Sequence, residues 1–190
     1  MNRLVSAAFT ALLAGSAYAA PIKYVAFMDG ASENPSNASP GTGVATVFYD
    51  DAANTLRVQA TFADLLAPTT VAHIHCCVAP PGNVGVATSV PTFPGFPTGV
   101  TAGAYDQTFD LTLASSWNAA FITANGGTPA GAEAALAAGL LAGQAYFNIH
   151  TSQFPAGEIR GFFAVPEPGT LVLLGLALFG AAAFGRRRVA

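Results

Sequence analysis

The stretch His73-Ile74-His75-Cys76-Cys77 gathers two of the three histidines and both cysteines of a chain in which only 9% of residues are charged. Imidazole and thiolate are ligands for copper and zinc. Residues two apart on a strand point the same way, so His73 and His75 offer two nitrogens from one face. His150 can add a third from a neighbouring strand, and Cys77, in register with the histidines, a soft fourth. One reading is therefore a metal site of His73, His75, His150 and Cys77, with copper or zinc as the suitable ion. The other is a structural polar cluster, in which the three histidines bond to Glu158, Thr151 and nearby backbone.

The cysteines admit a separate chemistry. In an oxidising compartment Cys76 and Cys77 can form a vicinal disulfide. Neighbouring Cα atoms across a trans peptide lie about 3.8 Å apart, below the usual disulfide range of about 4.4–6.8 Å. Such a bridge would be strained, would end the strand at His75 or Cys76, and would stiffen the entrance to the loop that follows. Thiolate ligation of a metal and bridging to another chain are the alternatives.

The elements that must position these groups read as short strands. Residues 22–28 and 44–49 are rich in β-branched and aromatic types, and Asp50-Asp51-Ala52-Ala53-Asn54 turns the chain into the alternating segment 56–62, which makes a hairpin. Asp50-Asp51 reads as an acidic turn before it reads as a calcium site. Residues 79–103 form a loop with five prolines, long enough to be functional or to act as a lid. Ser115 or Ser116 caps a short helix from Trp117 to Ala124, and Thr128-Pro129 opens a second that runs to Leu141, with Gly143 as its stop. Residues 145–151 and 157–163 form a second hairpin.

In strand 71–78, Ala72, Ile74, Cys76 and Val78 make the better core face, which leaves Val71, His73, His75 and Cys77 on the other. The same alternation puts Tyr146, Asn148 and His150 on a polar side, and turns Glu158 and Arg160 outward. All three histidines, Glu158 and Arg160 are thus expected on one open sheet surface, with Glu158 and Arg160 as a surface ion pair or Glu158 bonded to His150. The pattern as a whole predicts an all-β fold, an antiparallel sandwich or Greek-key barrel with one or two short connecting helices.

Both ends read as sorting segments. Residues 1–19 have a basic start, an apolar run and Ala17-Tyr18-Ala19, the form of a signal peptide. Pro166-Glu167-Pro168 precedes an apolar run over 171–185, long enough to enter a bilayer as a transmembrane helix, and Arg186-Arg187-Arg188, which would stay on the cytoplasmic side. Between the ends, residues 20–165 carry three basic residues against nine acidic ones, a net charge of −6. An acidic domain without a basic patch is a poor nucleic-acid binder.

The terminal segment resembles the PEP-CTERM sorting signal. That resemblance implies an exosortase-type membrane protease as partner, transient anchoring in the inner membrane, and delivery to the cell surface or an extracellular matrix. The HIH strand, Tyr146-x-Asn148-Ile149-His150-Thr151 and Phe154-Pro155-x-Gly157-Glu158-Ile159-Arg160-Gly161 together resemble the CHRD domain over about residues 22–164. This implies an immunoglobulin-like β-sandwich or barrel in an extracellular setting and no known catalytic activity. Cys76-Cys77 stands where that family often has a Gly-Pro turn. The His-x-His strand also resembles the copper strand of Cu/Zn superoxide dismutase, a β-barrel, but three histidines cannot supply that enzyme's ligand set.

No Gly-x-Ser-x-Gly elbow, Walker loop, dinucleotide fingerprint or HExxH motif occurs. The expected role is that of a non-enzymatic surface or matrix protein. The alternatives are a copper-binding or redox protein using the three histidines, and a module binding exopolysaccharide through Phe93, Phe96 and Tyr105, read as exposed.

Overall fold

The computed structural model describes residues 20–166. The expected signal peptide, Glu167, Pro168 and the expected transmembrane helix after them lie outside the described residues. Among those described, no helix is long and apolar enough to cross a membrane.

Seven strands form one sheet: β1 (Ile22–Asp29), β2 (Thr42–Asp50), β3 (Thr55–Ala63), β4 (Thr69–Cys76), β5 (Gly103–Asp110), β6 (Ala145–Thr151) and β7 (Ile159–Phe162). Their order is β4-β6-β7-β1-β2-β3-β5, and every pairing is antiparallel. The antiparallel all-β expectation holds. The sheet is single and curled into a half-barrel, where two packed sheets or a closed barrel were expected. Both predicted hairpins form, β2 with β3 and β6 with β7. The Asp50 carboxylate caps the first by accepting from the backbone N–H groups of Ala52 and Ala53. β5, which only touches the long loop of the sequence analysis at Gly103, is the edge strand beside β3.

Two helices, α1 (Ala119–Ala124) and α2 (Pro129–Leu141), connect β5 to β6. Thr128 caps α2 as expected, accepting from Gly131 N–H at 3.1 Å. The cap of α1 is Asn118, not Ser115 or Ser116, because those serines lie in a separate 3-10 turn (Ala114–Ser116).

Residues 77–102, the proline-rich connection, close the half-barrel. Their Phe93 and Phe96 are buried between the two ends of the sheet. Phe93 packs on Phe147 of β6 and on Tyr105 and Phe109 of β5, and Phe96 on Phe62 of β3 and Phe147. The expectation that Phe93, Phe96 and Tyr105 form an exposed platform for exopolysaccharide is therefore corrected. Strands β4 and β5 are not hydrogen-bonded to each other, so apolar surface at the gap needs covering, and these rings supply the cover.

The same loop covers the free edge of β4. Ala87 N–H donates to Ile74 C=O at 2.9 Å, Phe93 N–H to Ala72 C=O at 3.2 Å and Gly99 N–H to Thr69 C=O at 2.8 Å. Thr92 and Thr88 hydroxyls accept from the N–H groups of Ala72 and Ile74. An edge strand whose polar groups are met in this way is not open to another chain.

Phe93 thus joins both ends of the sheet and seats the loop. Its replacement by alanine is expected to destabilise the fold by about 3–5 kcal/mol. Thermal unfolding of Phe93→Ala beside the unaltered chain checks this; an unchanged Tm would show that the ring does not close the gap.

Candidate metal centre

Alternation along β4 and β6 assigns the faces as expected. Ala72, Ile74, Cys76, Ala145, Phe147 and Ile149 all point into the main core. The opposite face, expected to be open, is covered. His73, His75, His150, Asn148, Tyr146, Glu158 and Arg160 are all buried, the last two completely. The reason is tertiary: the 77–102 loop, the β6–β7 turn and the segment after β1 fold over that face and bond to its polar groups.

Register brings the histidines together. β4 runs beside β6 with Val71 opposite His150, His73 opposite Asn148 and His75 opposite Tyr146. His150 is therefore diagonal to His73, within reach across an antiparallel pair. Ring centroids of the three imidazoles lie 5.5–6.0 Å apart. One nitrogen from each lies within 4.8 Å of the others.

Each imidazole is held by one backbone carbonyl. His73 Nε2 lies 2.6 Å from Pro91 O, His75 Nδ1 2.8 Å from Val84 O, and His150 Nδ1 3.0 Å from Pro155 O. A carbonyl only accepts, so each of these nitrogens must carry the proton. The remaining nitrogens, His73 Nδ1, His75 Nε2 and His150 Nε2, keep their lone pairs, are buried, and have no hydrogen-bond partner. Burial lowers the pKa of all three rings, that of His75 to about 4, so the neutral form is the one present at neutral pH. Neutral imidazole with its one N–H fixed by an outer acceptor is the form in which histidine binds a metal. An unmet buried acceptor costs about 1–3 kcal/mol, and three occur here in one cluster of rings.

Tyr146 stacks on His75 with ring centroids 4.8 Å apart and planes 3° from parallel. The Arg160 guanidinium lies over the far side of Tyr146, 4.9 Å from its centroid, and near Phe162. Arg160 donates to the carbonyls of Ser32, Pro81 and Gly82 and to Asn83 Oδ1. Its ionic partner is Glu33 at 3.8 Å. Burial outweighs that guanidinium and raises the Glu33 carboxyl to about 7. Glu158 bonds elsewhere: its carboxylate accepts from the Ser39 and Thr151 hydroxyls and from Leu66 N–H. The expected outward Glu158–Arg160 pair is corrected, as is the expected bond of Glu158 to His150. Glu33, which belongs to no motif singled out in the sequence, takes the ionic role.

Cys77 does not join the histidines. Its sulfur lies against Ala135 C=O and Gly139 of α2, and it is joined to Cys76 across a cis peptide with the two Cα atoms 3.0 Å apart. The trans geometry assumed from sequence does not apply. Gly139 is required at this contact, since a Cβ there would overlap both sulfurs. The three carbonyls that orient the imidazoles were invisible to residue-type reasoning, because any residue carries a carbonyl. The available signal was the long proline-rich loop directly after the HIH strand.

The lowered His75 pKa has a definite sign. A folded value near 4 against an unfolded 6.5 gives a contribution fully present above pH 6.5 and lost as pH falls through about 4, on the order of 3 kcal/mol. Metal-free protein in chelator is expected to lose Tm between pH 7 and pH 4.5, and His75→Gln to lose less. Equal losses in both proteins would count against the buried neutral ring.

A family model of the CHRD domain matches residues 24–163, and one of the PEP-CTERM protein-sorting motif matches residues 164–188. No curated protein and no solved structure matches the chain.

Proposed function

Because the chain belongs to the CHRD domain family and carries a PEP-CTERM sorting motif, we propose that it is an exported surface protein whose domain holds one transition-metal ion on His73, His75 and His150. The observation that carries this reading is the cluster of three buried imidazoles, each with one partnerless nitrogen. A purely structural cluster would use both nitrogens of each ring in hydrogen bonds, since a buried acceptor left empty destabilises the fold. Here one nitrogen of each ring is used and one is free. A metal ion satisfies all three lone pairs at once. The role is binding rather than catalysis, and Cys76 and Cys77 serve as a bridge that stiffens the end of β4.

Copper or zinc offered to chelator-treated full-length chain, purified in detergent, is expected to bind at one ion per chain and raise Tm. His73→Ala, His75→Ala and His150→Ala are each expected to lose stoichiometric binding, while a Cys76→Ser/Cys77→Ser double variant keeps it. No bound metal and no thermal shift would remove the metal centre, and loss of binding in the double serine variant would restore a thiolate to the site.

The sorting motif supplies the destination. It supports processing by an exosortase-type membrane protease, with the domain then displayed at the surface or released into a matrix. Replacement of Pro166, Glu167 and Pro168 by alanine is expected to leave the chain unprocessed and in the membrane fraction. An immunoblot showing the same processed species as the unaltered chain would contradict this.

A further inference from the structure

We propose that the three-histidine site is selective for monovalent copper. The inference rests on the reading of the triad as a metal centre and adds the identity of the ion. Three features of the site point to it.

The first is donor number. Among the described residues the cluster consists of His73, His75 and His150, with no carboxylate or thiolate among the converging atoms. Cys76 and Cys77 are bonded to each other, and the Glu158 carboxylate is engaged by Ser39, Thr151 and Leu66. Zinc completes a tetrahedron and, where the protein supplies three ligands, keeps an open position for water. Divalent copper prefers a square-planar or tetragonal set of nitrogen and oxygen donors. The three free nitrogens here are buried, so bulk water does not contact them. A filled d shell with a single charge is content with three neutral donors in a triangle.

The second is charge. Moving an ion out of water costs free energy that grows with the square of its charge, so a divalent ion costs about four times as much as a monovalent one at equal radius. Most buried divalent sites recover that cost through anionic ligands. These three ligands are neutral, and so are the carbonyls of Pro91, Val84 and Pro155 behind them.

The third is the fixed cation nearby. Arg160 lies over one face of Tyr146, whose other face stacks on His75. Its repulsion acts twice as strongly on a divalent ion as on a monovalent one. Glu33, 3.8 Å from Arg160, offsets it only in part, since burial raises the Glu33 carboxyl to about 7.

The test is a competition on the full-length chain in detergent. Under anaerobic, reducing conditions Cu(I) is titrated against a colorimetric Cu(I) chelator; Ag(I), a redox-inert monovalent ion, and Zn(II) and Cu(II) are titrated in parallel. Cu(I) and Ag(I) are each expected at one per chain, with Cu(I) held about 100-fold or more tighter than Zn(II). X-ray absorption of the Cu(I) form is expected to show three nitrogen neighbours and no oxygen. Zn(II) held as tightly as Cu(I), or an oxygen in the coordination shell, would overturn the selectivity and leave the metal centre standing. Failure of all four ions to bind would overturn the metal centre itself. His150→Ala is expected to lower Cu(I) affinity; should that variant not fold, the competition on the unaltered chain decides alone.

Discussion

A sheet has two faces, and over β4, β6 and β7 both are buried, although one of them carries imidazoles, a guanidinium, an amide and a phenol. Polar groups out of water must find partners or destabilise the fold. The covering loops meet this demand mostly with backbone carbonyls, which accept and never donate. That one-sidedness shapes the whole face. Every imidazole turns its N–H toward a loop carbonyl, and Arg160 spends its donors on three more carbonyls and Asn83. Donors are satisfied and acceptors are left over. One nitrogen of each histidine is left without a partner, within a single cluster of three rings.

The loop can hold its carbonyls still because it is itself seated by hydrophobic packing. Phe93 and Phe96 fill the gap between β6 on one side and β3 and β5 on the other, and the same segment pairs with the free edge of β4. Closure of the half-barrel and construction of the histidine site are thus one event in the fold. Gly161 shows how closely the remaining strands are drawn in, since a Cβ there would meet the backbone carbonyl of Phe27 on β1. A rigid frame of this kind suits a site that must present three nitrogens at fixed positions.

Much of this was legible in the residues. Period-two alternation separated the core face of β4 from the histidine face, the two hairpins followed from their turns, and Thr128-Pro129 marked the start of α2. The grouping of His73, His75 and His150 also followed from alternation plus one assumption, that their strands are neighbours, and β4 does pair with β6. Where the reading failed, it treated polar as exposed. Glu158 and Arg160 were placed outside together; they are inside and apart. Phe93 and Phe96 were expected at the surface, yet both are buried.

The sequence by itself determined the local alternation, the inventory of ligands and the family, because these depend on residue type and on spacing over a few positions. Only the tertiary structure decided that the histidine face is covered, which nitrogen of each ring is free, and that Cys77 turns toward α2 and away from the site. Those outcomes depend on where the carbonyls of Val84, Pro91 and Pro155 come to rest, 9, 18 and 5 residues from the rings they bind. A carbonyl has no residue type, and its position is set by the packing of the whole loop.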